Sequence, residues 1–237
     1  MSHEFLPLAE AAAHVHVEAN ELKHVAQRGE IDAQIRSGEW YFEHAALDEW
    51  AQRHLLASNA KALKEQHRLM VDEHRRAKKG AWGVADLFVA EAIDLAIPAK
   101  AKGGLVRDMT TLAERSGFVY DPETLFKELV AREEAASTAI GAGAAFLHPR
   151  YHDPYFFEQS FIAYGRSERP IFFGAPDGAG TRHYFLICST NHDEHLHILA
   201  RLAILAHGTD LLERLDVAED PSAVQEALRA CEEPYLK

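Results

Sequence analysis

Three short segments of apolar and aromatic residues follow one another in the second half of the chain, each bounded by turn residues. They cover residues 161–166, 170–174 and 182–188, and such runs are typical of β-strands. Amphipathic helical patterns lie before them, at 101–116 and from Pro122 onward, and after them, at 194–207. Strands between two sets of helices predict an α/β fold, in which a sheet is flanked by helices.

Charged residues divide the chain into three parts. Residues 1–57 carry 4 Lys and Arg against 10 Asp and Glu, residues 58–80 carry 7 against 3, and residues 81–237 carry 14 against 24. The middle segment contains no proline and many helix-forming residues. We therefore predict a helical basic linker at 58–80 between two acidic domains. Its cluster at 75–79 is typical of a solvated helix end, and a nucleic-acid patch is the alternative.

The net charge of −12 means that the molecule as a whole repels nucleic acids and anionic membranes, so any DNA contact must be local. The first residues lack the basic and then apolar pattern of an export signal. No apolar run approaches the roughly 20 residues of a membrane span. These features predict a cytoplasmic protein with no membrane partner.

The first domain shows two helical patterns, at 8–15 and 18–28, and then two short strands around the turn at 36–39, before a further helix near Glu43. This order, with LPLAEAAAHVHV, QRGEI and LDEW, resembles the winged helix-turn-helix domains of the excisionase and MerR type. In that family the second helix enters the DNA major groove and the hairpin touches the backbone. The matching positions here are Asn20, Lys23, His24, Gln27 and Arg28 on the helix, and Arg36 on the hairpin.

DNA binding is one of two hypotheses for residues 1–57. Affinity for DNA comes mainly from cations that neutralise phosphates, and this segment has few of them. The alternative is a helix-turn-helix unit used for protein contacts or for a homodimer.

The second domain carries five motifs in one family's order. They are DLFVAEAIDLAIPAKAK (86–102), RSGFVYDPETLFKELVARE (115–133), AREEAASTAIGAGAAFLHPR (131–150), IFFGAPDG (171–178) and HDEHLHILARLAILA (192–206). Together they resemble the fructose, mannitol and nitrogen-related enzyme IIA family of the bacterial phosphotransferase system (PTS). The type that they resemble most is the nitrogen-regulatory, PtsN-like one. The resemblance covers nearly all of residues 81–237.

This resemblance implies that His148 accepts a phosphoryl group from the phosphohistidine of a small HPr-like carrier, with His195 and Arg132 beside it. The family usually has proline directly before the acceptor, where this chain has Leu147. A neutral imidazole is a nucleophile near physiological pH, and the transition state needs fixed hydrogen-bond donors. Arg132 and His195 would supply them, and backbone amides of 141–145 could add more. The hypothesis requires an imidazole that the donor can reach.

Two other interpretations apply to these residues. His192, His195 and His197 lie close in sequence, but their spacing fits no zinc-helix motif, so neither a metal nor a cofactor is expected. Arg132 could be only a cation at a helix C-terminus.

Three functions follow for the whole chain. The first is a regulatory phosphocarrier, because no permease or IIB segment is fused to the domain and phosphate would add charge to a partner-facing surface. The second is a DNA-binding regulator with an IIA-like sensor. The third is a IIA component that supplies a sugar-transport IIB protein. The regulated target is not identified by the sequence.

Overall fold

We describe residues 5–57, 83–149 and 156–236 of a computed structural model of the chain. The chain divides into two compact units, Met1–Lys78 and Lys79–Lys237. The predicted linker helix at 58–80 lies outside the described residues. Within those residues, no helix combines the length and apolar character needed to cross a bilayer.

The first unit is a small sheet with three helices. Its elements are β1 (Phe5–Pro7), α1 (Leu8–His14), α2 (Ala19–Gln27), β2 (Ala33–Arg36), β3 (Glu39–Glu43) and α3 (His44–Ala57). The strands are antiparallel in the order β1-β3-β2. The β2–β3 turn needs left-handed backbone, with φ of 52° at Ser37 and 87° at Gly38, which is why a Gly is favoured there. Only β1 was missing from the prediction.

The second unit contains the five-stranded sheet. Its elements are a 3₁₀ turn (Val84–Leu87), β4 (Phe88–Ile97), α4 (Lys102–Glu114), α5 (Pro122–Ala135), β5 (Ala139–Gly141), β6 (Ala144–Leu147), β7 (Phe161–Ile171), β8 (Thr181–Cys188), α6 (His192–Gly208), α7 (Leu211–Val217), α8 (Pro221–Glu232) and a second 3₁₀ turn (Glu233–Tyr235). The strand order is β4-β7-β8-β6-β5. β4 and β7 are parallel, as are β6 and β8, and the other pairs are antiparallel.

Helices flank this sheet, which confirms the predicted α/β fold. One core joins α4 and α5 to alternate residues of the central strands, such as Tyr184, Leu186 and Cys188. Because side chains alternate across a strand, Phe185 and Ile187 face the other side, where buried apolar residues of α6 and α8 complete the fold. Asp121, Asn191 and Asp220 cap α5, α6 and α8 through their side chains.

Two strand predictions were wrong in detail. Segments 161–166 and 170–174 are not separate strands, because β7 runs without a break from Phe161 to Ile171 and residues 172–174 lie outside it. No strand was predicted in the glycine-rich stretch at 137–146. It forms the β5–β6 hairpin, whose turn at Gly141, Ala142 and Gly143 has positive φ throughout.

A buried polar cluster surrounds His183 near the start of β8. Its Nδ1 lies 2.8 Å from the Tyr164 hydroxyl and its Nε2 lies 3.5 Å from Asp216. Burial raises the pKa of Tyr164, so its hydroxyl keeps the proton and donates it. Burial also lowers the pKa of His183 from 6.5 to about 4; the Asp216 carboxylate opposes this shift, and Arg182 and Arg166 reinforce it.

This pKa predicts that acid weakens the fold between about pH 6.5 and pH 4. Above this window the imidazole is neutral in both states. Within it the unfolded chain binds a proton that the folded chain does not, so the free energy of unfolding falls by up to about 3 kcal/mol. Urea unfolding at several pH values should show this loss in the wild type and a flatter profile in His183→Gln. Equal slopes in the two proteins would contradict the prediction.

Candidate functional site

His148 directly follows β6, at the end of the sheet where Leu147 lies beside Leu186. Its Nδ1 is 2.8 Å from the Phe146 carbonyl oxygen. A carbonyl can only accept, so Nδ1 carries the proton and donates it. On the opposite edge of the ring, Arg132 Nε donates to Nε2 at 3.1 Å. The imidazole is therefore neutral, and Nε2 carries the lone pair.

Arg132 reaches this ring from the last turn of α5. Its guanidinium is buried and also donates through Nη1 to the Ala136 carbonyl oxygen at 3.0 Å. The Arg132 side chain thus contacts both the C-terminal end of α5 and His148. It combines the two roles considered from the sequence, a cation at a helix end and a neighbour of the predicted acceptor. The planar fork of arginine permits both contacts at fixed geometry.

His195 lies in the first turns of α6 and is fully buried. Its ring centroid is 4.8 Å from that of His148, at an interplanar angle of 57°. The helix begins at Asn191, whose side chain accepts from the Glu194 amide. The positive end of the helix dipole therefore lies near the two rings and favours negative charge there. The structure brings together all three residues singled out from the sequence.

The burial of His148 differs from the expectation that a donor protein can reach its imidazole. The His148 side chain is packed among its partners, and the residue is only 1% exposed. Its hydrogen bonds to Phe146 and Arg132 explain the burial, because a polar ring is stable inside a protein only when its nitrogens are satisfied.

The expected backbone donors at 141–145 are not at this site. That turn lies at the opposite end of β6 from His148, roughly 16 Å away at the usual rise of a strand. The Ala142 amide donates instead to Asp177 Oδ2 at 3.0 Å, and the Gly143 carbonyl accepts from Arg182 and His183. The prediction that these amides serve the phosphoryl group was wrong.

Glu133 is a supporting residue that the sequence did not reveal. Its buried carboxylate accepts from the amide and hydroxyl of Thr138 and lies 2.8 Å from Lys102 Nζ. These contacts join the end of α5 to the segment that leads into β5, next to Arg132. A charged residue beside an arginine is usually solvated, so only the tertiary structure shows this role.

The residues predicted to contact DNA lie in the first unit. Lys23 is half-buried on α2, while Asn20, His24 and Gln27 have positions on the same helix. Arg28 follows that helix and pairs with Glu30, with Nε 2.5 Å from Oε1. Arg36 donates to Gln34, and its guanidinium lies over the Phe5 and Tyr41 rings. Surface contacts of this kind contribute little to stability.

Comparison with solved structures places the second unit in the enzyme IIA class. Nitrogen regulatory protein IIA-Ntr of Neisseria meningitidis is 27% identical, with a TM-score of 0.55, and the match covers 61% of this chain and 98% of that one. IIA mannitol of Escherichia coli is 22% identical with a TM-score of 0.52 over 60% of this chain and 98% of its own length, which bears on the fold alone.

Sequence comparison then gives the family. The model for the phosphoenolpyruvate-dependent sugar phosphotransferase system, EIIA 2, matches residues 86–231, and the chain belongs to this family. A nitrogen regulatory protein of Bradyrhizobium diazoefficiens is 29% identical, over 61% of this chain and 94% of that protein. The fructose-specific EIIABC component of Bacillus subtilis is 27% identical over 60% of this chain, which spans only 22% of that protein. The predicted enzyme IIA resemblance is confirmed, and the helix-turn-helix resemblance stays a prediction.

Proposed function

We propose that this chain is a regulatory phosphocarrier that accepts a phosphoryl group on Nε2 of His148 from an HPr-like phosphohistidine protein. The observation that supports this most directly is the pair of hydrogen bonds on the ring. Phe146 holds the proton on Nδ1, and Nε2 keeps its lone pair beside Arg132. That tautomer is the one that an Nε2 nucleophile requires.

The transfer exchanges one nitrogen–phosphorus bond for another. Nε2 attacks the phosphorus of the donor's phosphohistidine, and the donor nitrogen leaves with the electron pair of the broken bond. His148 keeps its Nδ1 proton, and the positive charge that develops on its ring is stabilised by the Phe146 carbonyl. Arg132 and His195 donate to the phosphoryl oxygens, where negative charge is spread in the transition state.

The buried acceptor places a condition on this reaction. Because Nε2 is occupied by Arg132 Nε at 3.1 Å, the guanidinium must turn from the nitrogen to the phosphoryl oxygens when the donor docks. Arginine suits this exchange, since its other hydrogen bond, to Ala136, can anchor it meanwhile.

A regulatory role is supported by two observations. The relatives include proteins named nitrogen regulatory protein, and this chain carries another folded unit, Met1–Lys78, ahead of its enzyme IIA domain. A phosphoryl group adds up to two negative charges to the surface that meets a partner. The phosphorylated and free forms would therefore bind a target protein differently.

The test uses the full chain with the general PTS proteins and labelled phosphoenolpyruvate. We expect one label per chain, stable in alkali and labile in acid, as phosphohistidine is. Absence of label under conditions that load an enzyme IIA control protein would contradict the proposal. Onward transfer to a IIB protein would instead favour the transport function.

We predict that Arg132→Lys slows label uptake by about 10²–10³-fold, the usual effect of losing an aligned transition-state donor. A lysine cannot contact both His148 and Ala136 in the same geometry. The matched control is Arg107→Lys, since Arg107 is exposed and lies over the Phe126 ring. A rate within threefold of the wild type in Arg132→Lys would contradict this role.

DNA binding by the first unit is the second candidate. It is supported by the order of α1, α2 and the β2–β3 hairpin, which matches the arrangement expected from the sequence. If it is right, gel shifts against genomic fragments show a specific, salt-dependent complex. Arg36→Ala would lower the slope of log affinity against log salt by about one. The absence of a specific complex at low salt would leave this unit as a protein-interaction module.

A further inference from the structure

Three side chains of metal-ligand type converge in the first unit. His14 lies in the last turn of α1, His44 is the first residue of α3, and Asp48 follows one helical turn later. Each offers one donor atom, and all these atoms lie within 4.8 Å of one another. The sequence does not reveal the cluster, because thirty residues separate His14 from His44.

The distances suit a shared ion. Asp48 Oδ1 is 2.7 Å from His14 Nε2, and Asp48 Oδ2 is 3.4 Å from His44 Nδ1. Ligands about 2.0–2.2 Å from a tetrahedral zinc ion are about 3.3 Å from each other. The Asp48–His44 separation is close to this value, whereas the His14–Asp48 hydrogen bond is shorter and would lengthen when an ion enters between the two groups. The spacing of four residues on α3 keeps His44 and Asp48 on one helix face.

The surroundings favour a cation with one open position. The side chains of His14 and Asp48 are 14% and 13% exposed, whereas that of His44 is 39% exposed. The protein ligands are therefore partly shielded, while one side is open to water or to another ligand. Residues 1–57 also carry a net negative charge, which attracts cations and repels anions.

We propose that His14, His44 and Asp48 bind a divalent transition-metal ion, with Zn²⁺ as the expected one. Two imidazoles and one carboxylate suit zinc and its neighbours in the first transition row, while calcium and magnesium prefer oxygen ligands alone. The ion joins the end of α1 to the start of α3. It thereby orders the chain just before the turn that leads into α2.

The test titrates the full chain with Zn²⁺ against a chromophoric chelator, and then with Co²⁺ followed by visible absorption. We expect one tight equivalent in the wild type and in Glu49→Gln, a control that removes the neighbouring carboxylate on α3, whose side chain is 45% exposed. His44→Ala and Asp48→Asn should each weaken binding by at least about tenfold. Asp48→Asn keeps the size of the side chain and an acceptor oxygen for His14, so it limits the damage to the fold.

Circular dichroism before titration establishes that each variant is folded. Wild-type binding no tighter than millimolar would overturn the site. So would tight binding that survives in folded His44→Ala and Asp48→Asn, because the ion would then lie elsewhere. Loss of binding in His195→Ala alone would place it among the histidines of α6 and overturn the assignment equally.

Discussion

The His148→Ala variant is expected to take up no phosphoryl group, whereas the wild type should take up one per chain. In the proposed transfer the product bond is made to Nε2, and no other described side chain has a lone pair held beside Arg132 in this way. A neighbouring histidine cannot replace it at the same geometry. His195 is fully buried, with its ring centroid 4.8 Å away.

The measurement is the acid-labile, alkali-stable label after incubation with the PTS proteins. His207→Ala is the matched control, because His207 is exposed near the end of α6, the helix that carries His195. It should label as the wild type does. Thermal unfolding of His148→Ala must show a folded protein, since the ring makes buried hydrogen bonds. Persistent label on folded His148→Ala would remove the phosphocarrier assignment.

Glu232→Ala should destabilise the second unit by about 3–5 kcal/mol, the cost of breaking a buried ion pair on one side. Glu232 is 1% exposed at the end of α8. Its Oε1 accepts from the Val84 amide at 2.8 Å and its Oε2 from the Ala85 amide at 3.0 Å. Its Oε1 also lies 3.7 Å from Nη1 of the buried Arg201. Alanine leaves a buried cation without this carboxylate and two amides without their acceptor.

Urea unfolding followed by far-UV circular dichroism measures this change. Glu226→Ala is the control on the same helix, and because Glu226 is exposed its effect should stay within about 0.5 kcal/mol. Glu232→Gln should cost less than alanine, because the amide keeps one acceptor oxygen. If Glu232→Ala lowers the free energy of unfolding by less than about 1 kcal/mol, Glu232 does not hold the 3₁₀ turn at Val84–Leu87 to α8.

The two largest effects probe different properties of the same unit. His148 lies at the end of β6 and should affect transfer, whereas Glu232 lies on α8 and should affect stability. If Glu232→Ala is folded, it should still take up label, because the contacts of Glu232 with Val84, Ala85 and Arg201 do not involve Arg132, His148 or His195. Slow transfer without a stability change would therefore point to the acceptor site.

Local signals predicted most helices well. Asp121 with Pro122, and Asp220 with Pro221, mark helix starts. Each aspartate side chain accepts a hydrogen bond from the backbone amide three residues later. The sequence also grouped Arg132, His148 and His195 through the family motifs, and the structure brings them together. It predicted the flanked sheet, because apolar runs of strand length lay between helical patterns.

The sequence did not predict which distant segments pair in the sheet. The glycine-rich stretch 137–146 has loop-like composition, yet β6 lies between β5 and β8, and its parallel pairing with β8 joins residues 144–147 to residues 183–186, far along the chain. β4 was missed for a related reason: its buried residues do not alternate regularly, and its pairing with β7 contains register shifts.

The sequence by itself predicted most helices, two of their caps, the β2–β3 turn and the proposed nucleophile, because each depends on neighbouring residues or on short motifs. Tertiary structure alone decided that His148 is buried, that Glu133 and Glu232 act as buried acceptors, and that His14, His44 and Asp48 meet. Burial and ion pairing depend on which surfaces come together in space. That information is carried by contacts between residues far apart in the chain, and no local pattern encodes them.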